Sequence, residues 1–272
     1  MARSESAASS AAVAAASAAV RVLHRDAHLL VLEKPSGLPT TGPGSGRTLV
    51  DVAHELDPDA PRLHPSSRLD AEVSGIVTFA RTPEATQHLL AARKAGRYLR
   101  GYLGISAAAP QPASGSWEHA IGIDPRDARK RRVVPVSSAG ARPACSLYRV
   151  LAVVEAPDPA GDKGEERARG RACALWLEPQ TGRTHQLRVH AAYAGVGLFG
   201  DRPYGGPQRL VLADGSVVTA RRTLLHCCRV SVPAVEGGGE GRGELLRFVS
   251  EPAAELVAFW KAAGGERLVL PE

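Results

Sequence analysis

The feature that most constrains the fold is a series of short apolar runs of strand length, separated by turn signals. Strand-like runs outnumber segments with helical spacing. In one of them, "RYLRGYLGIS" (97–106), Tyr98, Arg100 and Tyr102 share one face, which we expect to be open to solvent. Hairpin-like links between the runs favour antiparallel pairing. The sequence therefore predicts an α+β fold with a mixed, mainly antiparallel β-sheet core and flanking helices.

Capping residues predict where several helices begin. Thr48 precedes a stripe of apolar residues at helical spacing, and Thr82 precedes Pro83 at the first helical position. Thr184 is expected to cap a third helix, and a last helix is expected to start near Ser250. The segment "RLVLADGSVVTA" (209–220) predicts a hairpin with Asp-Gly at its tip.

Composition along the chain suggests one domain after a short tail. Residues 1–18 are rich in Ala and Ser, and we expect a disordered or loosely helical tail. Its apolar residues are almost all alanine, so no membrane span is predicted, whereas a transit peptide stays open. Residues 19–272 are expected to form one domain, with surface loops or insertions at 155–171 and 235–243.

The charge of the chain favours a polyanionic partner. The formal net charge is +6, and the run "DPRDARKRR" (124–132) contains five basic residues. This run could track phosphates or could be a solvated basic loop. The four cysteines include no CxxC pair, which favours reduced thiols in a cytosolic-type compartment, and no zinc-ligand spacing is present.

Asp70 is the polar residue that most needs an explanation. It lies in "HPSSRLDAEVSGIVTFAR" (64–81), just ahead of an apolar strand. A carboxylate buried there requires a partner, and Arg183 could clamp it bidentately. On the residues alone, a static ion pair and a reactive group are equally open. Glu72 could complete an acid pair, although a solvated position suits it better.

Five segments together resemble the RluA-type family of ribosomal and transfer RNA pseudouridine synthases. "SSRLDAEVSG" resembles the family's R-L-D-x-x-x-S-G signature, and "LVLEKPSGLPT" resembles its K-P-x-G-L-P segment. "RYLRGYLGI" is similar to the K-x-Y-x-A-x-V-x-G strand, "TGRTHQLRVHAAYAGVGLFGDRPYG" to the T-G-R-T-H-Q-I-R-V-H region, and "LLHCCRVSV" to the late L-H-A strand. The segments follow the family's order. Ser67 stands where the family usually has histidine.

The resemblance implies a pseudouridine synthase fold with a central active-site cleft and a role for individual residues. Asp70 would be the catalytic aspartate, acting as nucleophile or base, with Arg183 pairing with it. Tyr98 would pack against the target base, and Leu187 would lie near the pocket. Arg68 would contact RNA and help to hold a flipped nucleotide. Catalysis would need neither cofactor nor metal.

The predicted function is the isomerisation of specific uridines in ribosomal or transfer RNA. Besides Arg68, the candidate RNA-binding residues are Arg100, Arg129, Lys130, Arg131 and Arg132. A cytoplasmic monomer without membrane or metal partners is expected. The alternative is a catalytically silent RNA-binding protein on the same scaffold, which would not require the carboxylate. A metal-dependent hydrolase lacks a ligand set, because His185 and His190, five residues apart, point away from each other on a helix.

Overall fold

The computed structural model describes residues 12–42, 46–60, 62–155, 171–212, 214–235 and 245–271. The chain divides into two compact units. The first comprises Met1–Arg100 and Cys227–Glu251, and the second comprises Gly101–His226 and Pro252–Glu272. The predicted insertions at 155–171 and 235–243 lie almost entirely outside the described residues.

The first unit is built around two central strands, β2 (Leu29–Lys34) and β4 (Ser74–Ala80), that are buried on both faces. Strands β2 and β4 pair in antiparallel register, and almost all of their residues are buried, which explains their continuous apolar runs. β1 pairs with β2, β3 with β4, and β14 with β13, all antiparallel, while β13 neighbours β4. The strands are β1 (Arg21–Arg25), β2 (Leu29–Lys34), β3 (His64–Pro65), β4 (Ser74–Ala80), β13 (Leu225–Pro233) and β14 (Leu245–Val249). The first two residues of β13 are assigned to the second unit.

The helices of the first unit begin where the sequence predicts. Thr48 caps α2 (Leu49–Leu56) in a capping box with Asp51, and Thr82 caps α3 (Pro83–Lys94) with Pro83 in the first turn. In the tail, residues 12–18 form a helix, α1, the helical of the two alternatives expected for this segment. Their high alanine content explains this, since alanine has the strongest helix propensity.

The second unit contains an antiparallel sheet in the order β5-β10-β9-β6 and two separate hairpins. Its helices are α4, a short 3₁₀ helix at Arg202–Tyr204, and α5, which begins at Ala254 rather than near Ser250. The elements are β5 (Leu99–Ser106), β6 (Ser114–Glu118), β7 (Ile121–Asp124), β8 (Asp127–Val133), β9 (Cys145–Glu155), β10 (Arg171–Pro179), α4 (Gln186–Tyr193), β11 (Arg209–Val211), β12 (Val217–Thr219) and α5 (Ala254–Ala262).

The two hairpins of the second unit test the predictions for the Asp-Gly turn and for the basic run. β11 and β12 form the predicted hairpin around Asp214 and Gly215. β7 and β8 form a second hairpin over the basic run, which is therefore a strand and not an irregular loop. Within the described ranges, no helix is long and apolar enough to span a membrane. The predicted α+β class with mainly antiparallel strands is confirmed.

Candidate active site

Asp70 lies at the rim of the first unit, immediately before β4. Its backbone carbonyl accepts a hydrogen bond from the amide of Val73 at 3.1 Å, which closes a turn between the two residues. Leu69 and Val73 are buried, whereas Asp70 is partly exposed. The expectation of a buried carboxylate is therefore wrong: the flanking residues Leu69 and Val73 are buried and anchor the turn, while the side chain of Asp70 is partly exposed.

A second segment, Lys34–Thr40, holds the backbone on both sides of Asp70; we call it the brace. The Thr40 hydroxyl donates to the carbonyl of Leu69 at 2.8 Å and accepts from the amide of Leu69 at 3.0 Å. Thr40 is only 2% exposed, so water does not compete readily for these groups. One side chain therefore fixes the peptide groups that lead into Asp70.

Lys34 supplies the other end of the brace. Its side chain is fully buried, and its ammonium group donates to the carbonyls of Pro35, Leu38 and Ala71 at 2.9, 2.7 and 3.1 Å. A buried ammonium is tolerated when its three donors find acceptors. Since Ala71 directly follows Asp70, this lysine ties the brace to the far side of the carboxylate.

Two further hydrogen bonds complete the contact between the brace and the turn. The amide of Gly37 donates to the carbonyl of Ala71 at 2.8 Å, and the Ser36 hydroxyl donates to the carbonyl of Glu72 at 2.8 Å. The backbone from Leu69 to Glu72 is thus held at several points. This gives the Lys-Pro-x-Gly-Leu-Pro segment a structural reason: it shapes the turn that carries Asp70.

Gly75 is the position in β4 that no other residue could occupy without rearrangement. Its φ of +115° is unfavourable for a residue with a side chain. A Cβ atom there would lie 2.3 Å from the carbonyl oxygen of Cys227 in the neighbouring strand. Gly75 therefore lets β13 approach β4 closely, just behind the turn of Asp70.

Tyr98 is buried, and its phenol is anchored inside the first unit. Its hydroxyl lies 2.5 Å from the Thr78 hydroxyl and donates to the Ser67 hydroxyl at 3.1 Å. Burial raises the pKa of Tyr98 above its usual range, so the phenol stays neutral.

The prediction that one face of this strand is open to solvent is wrong, because its residues Tyr98, Arg100 and Tyr102 are only 5%, 9% and 4% exposed. Alternation separates the two faces of a strand but does not tell which face is covered.

Gln186, at the start of α4 in the second unit, organises the segment that contains Arg183. Its side-chain oxygen accepts from the Thr181 hydroxyl at 2.6 Å and from the amide of Arg183 at 3.0 Å. Its side-chain nitrogen donates to the carbonyl of Cys145 at 2.8 Å and to the hydroxyl of Ser146 at 2.9 Å. This buried amide thus makes four hydrogen bonds and holds the backbone of Arg183.

Arg183 itself is partly exposed, and its Nε donates to the carbonyl of Pro143 at 3.0 Å. Leu187, one turn further on, is 6% exposed.

The prediction that Thr184 caps this helix is wrong, because α4 starts only at Gln186. The preceding residue, His185, has a φ of +58°, and its side chain makes no capping hydrogen bond. The amide of Gln186 donates to the carbonyl of Arg183 at 3.1 Å, so a turn precedes the helix.

The candidate RNA-binding residues differ in exposure. Arg68 is exposed in the first unit, whereas Arg100 is buried, so a surface position for Arg100 is not observed. On β8, Arg129 and Arg132 are exposed, and Lys130 and Arg131 are half-buried. The guanidinium of Arg129 binds the Asp127 carboxylate and lowers the pKa of that carboxyl to about 2.

The histidine of α4, His190, is held by hydrogen bonds inside the second unit. His190 is buried, and burial lowers its pKa. Its Nδ1 lies 3.0 Å from the Ser146 hydroxyl, and its Nε2 lies 3.2 Å from the carbonyl of His119. Over the described residues, no group of three His, Cys, Asp or Glu side chains could hold a metal ion.

The predicted site residues fall into two sets. Asp70, Arg68, Tyr98 and Arg100 belong to the first unit, while Arg183, Leu187 and the β7–β8 hairpin belong to the second. The pairing of Arg183 with Asp70 stays a prediction. Sequence reasoning missed Thr40 and Gln186, which lie in segments that carry the family resemblance, and Thr78, which lies in β4 just after one of them. For Thr78 the available signal was a polar residue inside an apolar run of strand length.

The chain is similar to RNA pseudouridine synthases in each comparison with known proteins. The family described as RNA pseudouridylate synthase matches residues 28–193. "Ribosomal large subunit pseudouridine synthase D" of Xylella fastidiosa is 34% identical over 216 residues, which cover 75% of this chain and 59% of that protein. "Dual-specificity RNA pseudouridine synthase RluA" of Salmonella typhimurium is 30% identical over 193 residues, covering 71% of this chain and 80% of that protein.

A solved structure agrees with the predicted fold. "Human RNA Pseudouridylate Synthase Domain Containing 4" has a TM-score of 0.67 and 23% identity, covering 97% of this chain and 98% of that one. At this identity the likeness concerns the fold. The family match extends over more than half of the chain, and the Salmonella relative is covered over most of its length. The chain therefore belongs to the RNA pseudouridylate synthase family.

Proposed function

We propose that this protein isomerises uridine to pseudouridine in ribosomal or transfer RNA, with Asp70 as the reactive group. The observation that carries the proposal is the brace. In it, a fully buried lysine and a buried threonine donate hydrogen bonds to the backbone around one partly exposed carboxylate. RNA binding alone does not require the carboxylate, whereas a reactive group must be held in a defined position. The names of the relatives support RNA as the substrate class.

The reaction needs no oxidant or reductant, because substrate and product have the same formula. The bond from ribose C1′ to uracil N1 breaks, the base rotates, and a bond from C1′ to C5 forms. The hydrogen on C5 leaves as a proton, and N1 gains one. Asp70 can serve as the nucleophile at the ribose or as the base that removes a proton. No step requires a cofactor.

Tyr98 and the basic groups fit the demands of such a substrate. A uridine in folded RNA must leave the stack before its glycosidic bond can react, and flipped bases are held by aromatic faces. Tyr98 offers a ring held in one orientation by two hydrogen bonds. Arg68 and the basic residues of β8 offer positive charge for the phosphates, in keeping with the net charge of +6.

Arg183 and Leu187 complete the proposal through the family resemblance. We assign Arg183 to pair with the Asp70 carboxylate and Leu187 to an apolar contact near the base. The four hydrogen bonds of Gln186 support this role, since they hold the backbone from which the Arg183 side chain extends. A cytoplasmic location and a monomeric state are further parts of the proposal; an organellar location is the alternative, as in the relative "RNA pseudouridine synthase 2, chloroplastic" of Arabidopsis thaliana.

The test maps pseudouridine in cellular RNA with a carbodiimide reagent. RNA is compared from cells that lack the gene and from the same cells carrying the wild-type gene or Asp70→Ala. We expect one or a few sites to be lost in the deletion, restored by the wild type and not by Asp70→Ala. Restoration by Asp70→Ala would contradict the role of Asp70. An unchanged map in the deletion strain would favour a catalytically silent RNA-binding protein.

A further inference from the structure

The hydrogen-bond partners of Tyr98 suggest a function for Ser67, the residue that replaces the family's usual histidine. Ser67 is 3% exposed and accepts the phenol hydrogen of Tyr98 at 3.1 Å. A phenol has one hydrogen, so the Thr78 hydroxyl is the donor in the 2.5 Å contact. The result is a chain of hydroxyls from Thr78 through Tyr98 to Ser67.

Both anchors of the phenol are themselves held in place. The amide of Ser66 donates to the backbone carbonyl of Thr78 at 2.8 Å, and the carbonyl of Ser66 accepts from Arg93 at 3.1 Å. Thr78 lies within β4. The segment before Asp70 and the strand after it are therefore fastened together at the point where Tyr98 donates and accepts.

Ser67, which accepts the phenol hydrogen, lies only three residues before Asp70 in the sequence. Ser67 is followed by Arg68, Leu69 and Asp70, so one short segment carries both the acceptor for the phenol and the carboxylate. Leu69, between them, is held by Thr40 of the brace. A displacement of the phenol therefore cannot occur independently of the segment that carries Asp70.

We infer that Ser67 is a positioning residue, which holds the ring of Tyr98 relative to Asp70 through the phenol hydrogen. Because the phenol hydrogen is donated to Ser67 inside the protein, Tyr98 does not serve as a proton donor to the substrate. This inference rests on the proposed function. It assigns a role to a position at which this chain departs from its family, and Ser67 itself touches no substrate.

The test is a double-mutant cycle with Ser67→Ala and Tyr98→Phe. Turnover is measured as tritium released from C5 of uridine in transcribed large-subunit ribosomal RNA and transfer RNA, because the C5 hydrogen leaves in the reaction. Ser67→Ala should lower kcat about 3- to 10-fold, the equivalent of one hydrogen bond, with KM unchanged. In the Tyr98→Phe background the same substitution should change kcat less than about 1.5-fold, because the partner hydroxyl is already gone.

Ser106→Ala is the matched control. Ser106 is fully buried in β5, and its hydroxyl donates to the backbone carbonyl of Ala108 at 2.8 Å, so its loss removes a comparable hydrogen bond away from Tyr98. It should lower the urea midpoint as Ser67→Ala does and leave kcat unchanged. A stability cycle on the Ser67 and Tyr98 variants, read by urea unfolding, measures their coupling without any substrate.

The outcomes distinguish the positioning role of Ser67 from the proposed function. If Ser67→Ala lowers kcat equally in both backgrounds, or leaves kcat unchanged while it lowers stability, the positioning role is wrong and the proposed function stands. A wild-type protein inert toward both RNAs overturns the proposed function and the inference with it. Activity that is retained by Asp70→Ala overturns the role of Asp70, even where the stability cycle still detects the hydrogen bond.

Discussion

Replacing Thr40 by valine tests whether the brace sets the position of Asp70. Valine has nearly the shape of threonine but lacks the hydroxyl that binds both backbone groups of Leu69, at 2.8 and 3.0 Å. Thr40→Ser is the matched variant, because it keeps the hydroxyl and removes only a methyl group. The two substitutions separate the hydrogen bonds from the packing at a residue that is 2% exposed.

The size of the effect follows from the two hydrogen bonds. Each contributes about 0.5 to 1.5 kcal/mol net, so Thr40→Val should lower the free energy of unfolding by about 1 to 3 kcal/mol. Thr40→Ser should cost about 0.8 kcal/mol, the value of one buried methyl group. A reactive group displaced by about 1 Å can lose about 100-fold in rate, so we expect kcat of Thr40→Val to fall about 10- to 100-fold.

The assay measures tritium release at saturating RNA together with urea unfolding. KM should change little, because Thr40 is buried and contacts the turn and not the RNA. Thr82→Ala serves as a control for stability alone: it removes the cap of α3, which costs about 1 kcal/mol, and makes no hydrogen bond to the turn of Asp70. A Thr40→Val protein with the kcat of Thr82→Ala would refute the positional role of the brace.

Three further predictions concern the second unit. Gln186→Leu removes four hydrogen bonds, each worth about 0.5 to 1.5 kcal/mol, so it should lower the free energy of unfolding by about 2 to 6 kcal/mol and also lower kcat. A variant with near-wild-type urea unfolding and tritium release would contradict the role given to Gln186. Burial lowers the pKa of His190 from its usual value of about 6.5. As the pH falls, the histidine is therefore protonated more readily in the unfolded chain than in the folded one. The stability due to neutral His190 is present above about pH 6.5 and is lost as the pH falls below it. His190→Gln should flatten this dependence in urea unfolding between about pH 5 and 6.5, and an unchanged slope would count against it. RNA binding should weaken steeply with salt, and a double Lys130→Ala, Arg132→Ala variant should reduce the slope of log K against log salt by about 2 in filter binding; an affinity indifferent to salt would exclude the basic hairpin as a phosphate contact.

Local signals predicted local structure well. The caps Thr48 and Thr82 and the Asp214-Gly215 turn are confirmed, because each depends on hydrogen bonds or backbone angles within four residues. Thr184 failed as a cap because α4 begins only at Gln186, after His185 at a φ of +58°. The sequence carried no local cue for this backbone conformation.

The site depends on contacts between distant segments, which a single sequence does not reveal. A lysine before proline would ordinarily be exposed, yet Lys34 is fully buried, because the carbonyl of Ala71, 37 residues away, completes its set of acceptors. The face of Tyr98 looked open because aromatic and basic residues often face RNA, whereas packing covers it. The residues alone left Asp70 open between a static ion pair and a reactive group, and the resemblance over several segments in order favoured the reactive group.

The most direct test of the central claim is the single-turnover conversion of tritium-labelled RNA by wild type, Asp70→Asn and Glu72→Gln. Asparagine keeps the size of Asp70 and removes its ability to act as nucleophile or base, and Glu72 is an exposed carboxylate two residues away. We predict that Asp70→Asn binds the RNA but reacts at least about 1,000-fold more slowly, while Glu72→Gln reacts like the wild type. Tritium release by Asp70→Asn at the wild-type rate would contradict the assignment of Asp70 as the reactive group.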